Sequence, residues 1–112
     1  MKIIREPIAR SELLEIAKNQ FGTLVKAVVD IEREIMAIGG DLHADEEALL
    51  LEDGSEQENL WGINLYPGKP EEERVEFDSM INVRPSQGNV SRSVESLETQ
   101  KKIRRIIQKL VP

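Results

Sequence analysis

The chain holds a single imidazole, His43, and Asp30, Glu34 and Asp45 lie within thirteen residues of it. One imidazole with two or three carboxylates is an acceptable shell for a hard or borderline divalent cation, and a helical i, i+4 pair such as Asp30 and Glu34 presents its carboxylates side by side. Asp30, Glu34, His43 and Asp45 are therefore the candidate metal ligands, and a metal-assisted hydrolase is the enzymatic reading they support. Their spacing fits no zinc or calcium template. With Lys26 and Arg33 interleaved, the two helical acids equally describe a solvated stripe of alternating charge.

A second set comes from alternation. Between Arg74 and Arg84, Val75, Phe77, Ile81 and Val83 point one way and Glu76, Asp78, Asn82 and Arg84 the other, while Asn64 and Tyr66 share the matching face of residues 60–66. Asp78 beside Asn64 and Asn82 suits a polar ligand or a positioned water, with Tyr66 and Arg84 completing a pocket. A wet sheet face needs polar residues in any case, and edge charges discourage stray pairing. Two Asn in strand centres are less expected, because Asn is depleted in strands. The loop that follows, residues 84–93, is rich in hydroxyls and amides and runs toward a helix N-terminus. Free N–H groups there, with Arg84 and Arg92 as bidentate partners, suit phosphate, sulfate or carboxylate. The loop has no Walker or dinucleotide glycine pattern, and Gly88-Asn89 also reads as a plain turn, with Ser91 or Ser93 as a helix cap.

Lys101, Lys102, Arg104, Arg105 and Lys109 make the C-terminal segment basic. Base stacking needs aromatic partners, and the lone Trp61 and Tyr66 both lie elsewhere, so nucleic acid is not the expected partner. Without Cys or a Gly-x-Ser-x-Gly turn, and with one His to activate several scattered serines, nucleophilic catalysis has less support.

The elements that must position these groups follow from periodicity. Pro7 biases residues 2–8 toward an extended entry, and Ser11 opens a helix over about residues 11–20. Leu24, Val28, Ile31, Ile35 and Ile38 fall at helical spacing, which predicts a long apolar helix over residues 23–38, ended by Gly39-Gly40. Asp45 is the expected N-cap of a short helix from Glu46 to about residue 52, with a strand as the alternative for its apolar run. Trp61, Ile63 and Leu65 alternate as a strand, the 74–84 run pairs with it as an antiparallel hairpin, and a last helix reaches Leu110 with Ile103, Ile106, Ile107 and Leu110 on one stripe. The predicted class is α+β, a small antiparallel sheet packed against the long apolar helix and the C-terminal helix. A two-stranded hairpin is unstable alone, so it must pack on the long helix, gain a third strand from residues 2–8 or 41–44, or pair with a second copy. That last option predicts a homo-oligomer, most simply a dimer.

At 112 residues the chain is long enough for one domain, 1–112, that builds a core without staples. Its lack of Cys fits a reducing, cytoplasmic setting. No apolar run approaches the ~18 residues of a membrane span, and the charged start Met-Lys-Ile-Ile-Arg-Glu-Pro does not read as a signal peptide. Abundant Glu with few Gln points toward a thermophilic source. The net charge of −6 is unevenly spread: residues 1–40 are balanced, 41–80 carry two bases and thirteen acids, and 81–112 carry seven bases and two acids. The basic C-terminal helix is therefore expected to meet the acidic middle within or between subunits.

The segments Val28 to Gly40, Leu42-His43-Ala44-Asp45, Leu60 to Pro67 and Ile81-Asn82-Val83-Arg84-Pro85 resemble a small prokaryotic family catalogued only as a domain of unknown function. The resemblance implies a compact prokaryotic domain and brings no activity, ligand or catalytic residue. On the residues alone, the leading expectation is a self-associating binding or interaction domain rather than an enzyme. A small anion at the 84–93 loop is its candidate ligand, no cofactor is evident beyond a divalent metal at the acid/His set, and no membrane partner is expected.

Overall fold

In the computed structural model, which describes all residues from Met1 to Pro112, one antiparallel sheet organises the chain. Its strands are β1 (Lys2–Ile4), β2 (Val25–Asp30), β3 (Ile35–Ile38), β4 (Leu60–Leu65) and β5 (Val75–Glu76), in the order β1-β3-β2-β4-β5. The helices are α1 (Arg10–Asn19), α2 (His43–Glu52) and α3 (Leu97–Leu110). The class is α+β, as the sequence predicts.

The long apolar helix over residues 23–38 is not there: that segment is the β2–β3 hairpin at the centre of the sheet. Both faces of the hairpin are buried, so its apolar residues run on without the alternation of a half-wet strand. Odd positions of β2 (Val25, Ala27, Val29) and even positions of β3 (Met36, Ile38) enter the core under α1 and α3; Val28, Ile35 and Ala37 face α2. The run of Val and Ile is the feature that favours strand over helix. The turn is disguised because it contains no Gly, Asn or Pro between its ends. Asp30 closes it instead, its Oδ1 accepting from the N–H of Glu32 (2.9 Å) and of Arg33 (3.0 Å), and Glu34 takes the left-handed conformation at φ 55°.

Other boundaries move less. Residues 2–4 supply the third strand that the sequence offered as one option, pairing with β3. The 46–52 run is helical and begins earlier, at His43, with Leu42 rather than Asp45 at the N-cap. Only Val75 and Glu76 of the 74–84 run are strand; Met80–Asn82 form a 3-10 turn and Arg84 makes a single bridge to Asn89. Ser96, not Ser91 or Ser93, caps α3 by accepting from the Thr99 N–H at 3.2 Å.

The two faces of the sheet are covered unequally. Leu13 and Ala17 of α1 and Ile103, Ile106, Ile107 and Leu110 of α3 join the sheet in a core of 18 buried residues, whereas the α2 side has a core of 5. The α2 side is therefore where polar side chains can reach the sheet without being squeezed out by packing.

Candidate functional site

Two of the residues singled out on the 74–84 run complete the sheet. Because β5 pairs only with Asn64 and Leu65, the rest of the β4 edge lacks a neighbouring strand. Asn82 supplies one with its side chain: Oδ1 accepts from the Gly62 N–H at 2.8 Å and Nδ2 donates to the Gly62 carbonyl at 2.9 Å. This is the two-bond exchange that a paired strand residue makes with its backbone. Arg84 continues the edge, donating to the carbonyls of Leu60 (2.6 Å) and Gln57 with its guanidinium 4.2 Å from the Trp61 ring centre. Gly62 must lack a side chain, since a Cβ would lie 2.5 Å from that of Ser79.

The 84–93 loop does concentrate free N–H groups, and the chain fills them itself. The Glu95 carboxylate accepts from the N–H of Val90, the N–H of Ser91 and the Ser91 hydroxyl, each at 2.8 Å. The Ser91 hydroxyl and then these backbone donors hold its pKa below the usual carboxylate range. With Arg84 turned inward, Arg92 is the arginine of this loop that faces outward.

The four candidate metal ligands do not come together. Asp30 is fully buried in the β2–β3 turn, with its Oδ2 accepting from the Ser55 hydroxyl at 2.6 Å. Glu34 is exposed on the far side of that turn, 3.4 Å from the Lys109 ammonium, while His43 and Asp45 lie in the first turn of α2. No three Asp, Glu or His side chains stand close enough together to share an ion.

His43 lies instead in a pocket of about 260 Å³ on the α2 side of the sheet, lined by Lys26, Asn64, Asp78, Ser79 and Arg92 and by the apolar Leu42, Ala44, Met80 and Ile81. Register builds it: Lys26 of β2 and Asn64 of β4 are direct cross-strand partners, so their side chains share one face. The 78–82 turn closes one wall, and Arg92 is tied to it because its carbonyl accepts from the Ser79 N–H at 3.0 Å and from Asn82 Nδ2 at 3.0 Å. The first turn of α2 forms the other wall.

The chemistry of the pocket is specific. His43 Nε2 donates to the Ile63 carbonyl at 2.7 Å, so the proton of the neutral ring is on Nε2 and Nδ1 keeps its lone pair. Burial lowers the His43 pKa, opposed by the bond to Ile63 and reinforced by Lys26, which keeps the ring neutral at pH 7. Leu42 has no side-chain oxygen with which to cap α2, and the N–H groups of His43 and Ala44 have no acceptor. These two donors carry the positive end of the helix dipole. Arg92 Nε donates to Asp78 Oδ1 at 2.7 Å, leaving its terminal nitrogens free, and the Lys26 ammonium lies 4.9 Å from the Phe21 ring centre. Asn64 Nδ2 donates to Glu76 Oε1 at 2.8 Å, while its buried Oδ1 has no partner. A buried polar atom without a partner costs about 1–3 kcal/mol, so this acceptor marks a bond the fold itself does not make. Leu42 and Met80, 56% and 65% exposed, form an apolar rim.

Of the sequence candidates, then, the pocket gathers His43, Asn64, Asp78 and Arg92. Tyr66 lies outside it, its hydroxyl 3.3 Å from Glu76 Oε1 and its ring under the Lys69 ammonium at 4.2 Å. Lys26 and Ser79 were not singled out. The Gly in mid-strand at position 62 is the signal that could have led to Ser79, because such a Gly often marks a close approach by another segment.

These features define a small α+β protein with helices on both faces of an antiparallel sheet and a polar pocket at the start of α2. The chain belongs to a protein family of unknown function, DUF5674, whose model matches residues 2–110. Comparison with curated proteins and with solved structures gave no match.

Proposed function

We propose that this protein is a binding domain for a small anionic ligand, with the anion seated against the free N–H groups of His43 and Ala44 between Lys26 and Arg92. The observation that carries this reading is the uncapped N-terminus of α2 opening into a pocket between Lys26 and Arg92. The unpartnered Oδ1 of Asn64 on its lining is an acceptor and calls for a donor such as a hydroxyl or amide elsewhere on the ligand, not for the anionic group. A helix start with two free donors and two nearby cations suits phosphate, sulfate or carboxylate. The apolar rim of Leu42 and Met80 suits a ligand with a nonpolar body. The anion site thereby moves from the 84–93 loop to the pocket, with Arg92 common to both. Ligand binding is the primary role. The free Nδ1 of His43 supports an acid–base enzyme as the second reading, one that takes a proton from the bound ligand. A metal-assisted hydrolase would need a shell that Asp30, Glu34, His43 and Asp45 do not make together. Lack of Cys supports a cytoplasmic setting, the family resemblance a prokaryotic source, and the Glu-rich composition a thermophilic one.

A thermal-shift panel of inorganic phosphate, sulfate, small carboxylates and phosphate monoesters tests the reading, because a ligand that binds only the native state raises Tm. At least one anion is expected to raise Tm in the wild type and to lose most of that effect in both Arg92→Ala and Lys26→Met. A panel that leaves Tm unchanged, or stabilisation that survives both substitutions, rules the reading out.

A further inference from the structure

The outer stripe of α3 and the outer stripe of α2 lie on opposite sides of the sheet and carry opposite charge. On α3, Lys101, Lys102 and Arg105 are exposed below Leu97, which is 70% exposed, and none of the three cations has an ion-pair partner within the chain. Glu98 lies one turn before Lys101 and Lys102 on the same helix without forming an ion pair, and Glu32 and Glu34 share a shallow hollow with Lys102 and Arg105, where Glu34 is already engaged by Lys109. On the other side, Asp41, Asp45 and Glu52 edge an open groove of about 460 Å³ whose apolar floor is Met1, Ala48 and Leu49. These three acids also lack an ion-pair partner, and the Met1 ammonium is the positive group beside them. Within one chain the sheet keeps the two stripes apart.

We propose that the acidic groove along α2 receives the basic outer stripe of α3 from a second copy of this chain. The argument is charge complementarity joined to shape: three unpaired acids around an apolar floor face three unpaired cations whose stripe begins with an exposed Leu. Exposed ion pairs contribute little singly, so the contact is salt-sensitive, and the apolar floor supplies what the charges do not. Because the donor and acceptor surfaces lie on opposite sides of the sheet, one partner cannot engage both, and the contact is head-to-tail. It leaves one free groove and one free α3 at the ends and grows into open chains or closed rings rather than stopping at a two-fold dimer. This inference does not depend on the ligand pocket.

Sedimentation velocity over a concentration series tests it on the unmodified protein. At about 0.02 M salt the average mass is expected to climb past two copies of the 12.7 kDa chain as concentration rises, and to fall back toward one copy at ~0.5 M salt, where screening is strong. A second arm uses two blocked variants, K101E/K102E/R105E and D41N/D45N/E52Q, each checked for native circular dichroism. Each alone is expected to be monomeric, and an equimolar mixture to form a 1:1 complex that grows no further, since one partner keeps its groove and the other its α3. A wild type that stays monomeric at low salt, or one that forms a salt-insensitive dimer, overturns the proposal. So does a mixture of folded variants that fails to associate.

Discussion

On the face of the sheet covered by α1 and α3, 18 buried residues close around Ile63, Met36 and Ile103; on the face covered by α2 only 5 do, and Asn64, Lys26 and His43 share the remaining space. The first face is a hydrophobic interior in which each residue is chosen for volume. The second combines a thin apolar layer under Leu50 with hydrogen bonds that must be matched group by group. Beside it, Asn82 and Arg84 finish the β4 edge. In the first turn of α2, Glu46 is fully buried with its Oε2 accepting from the Gly40 N–H at 3.0 Å and its Oε1 unpartnered. Stability is concentrated on one face, and unfinished polar chemistry on the other.

Substitutions break this contrast to different degrees. Ile103→Ala empties the centre of the α3 face and is expected to cost about 4 kcal/mol in urea unfolding, with any anion-induced rise in Tm kept. Asn82→Ala strands the N–H and carbonyl of Gly62 and is expected to cost about 3 kcal/mol, which would make one polar side chain at the sheet edge nearly equal to a core Ile. A loss below about 0.5 kcal/mol would mean that water replaces the amide and that the edge is open.

Glu46 gives an effect that is small near pH 5 and carries a pH signature. Burial raises its pKa from 4.5 to about 9, against the pull of the Gly40 N–H and Lys26. A carboxyl raised in this way favours the fold fully below its ordinary value of 4.5, and that contribution is lost progressively as pH climbs toward about 9. Glu46→Gln cannot ionise. It is expected to match the wild type near pH 4 and to exceed it by about 3 kcal/mol at pH 7, the gain growing to about pH 9 and then levelling. Equal pH dependence in the two proteins would show that the carboxyl reaches water.

The same contrast explains what could be read from the sequence. The stripe of Ile103, Ile106, Ile107 and Leu110 carries one period because α3 meets solvent on its other side. The alternation of Trp61, Ile63 and Leu65 shows in β4, though it is buried on both faces, because Gly62 and Asn64 interrupt the apolar run on its α2 side. The β2–β3 hairpin is buried on both sides, so its apolar positions follow no period of two and by coincidence fall at helical spacing. The pocket was visible only in pieces: His43 among metal ligands, Asn64 and Asp78 on a strand face, and Arg92 in a loop. Joining them needs the β2–β4 register and the placement of α2 over that register, neither of which is a local property. Lys26 read as one cation on a helix's exposed strip because the helix itself was the misreading. Asn82 and Arg84 drew attention as unusual polar residues in a strand context, and the structure shows them hydrogen-bonded to the backbone of Gly62, Leu60 and Gln57.

The most direct test of the pocket is a phosphate titration followed by amide NMR, using the basic stripe of α3 as an internal control for nonspecific attraction. Saturable shifts at His43 and Ala44, with Lys101, Lys102 and Arg105 moving little, are the expected result. Shifts confined to α3, or spread evenly over both faces with no saturation at His43 and Ala44, would contradict an anion site at the start of α2.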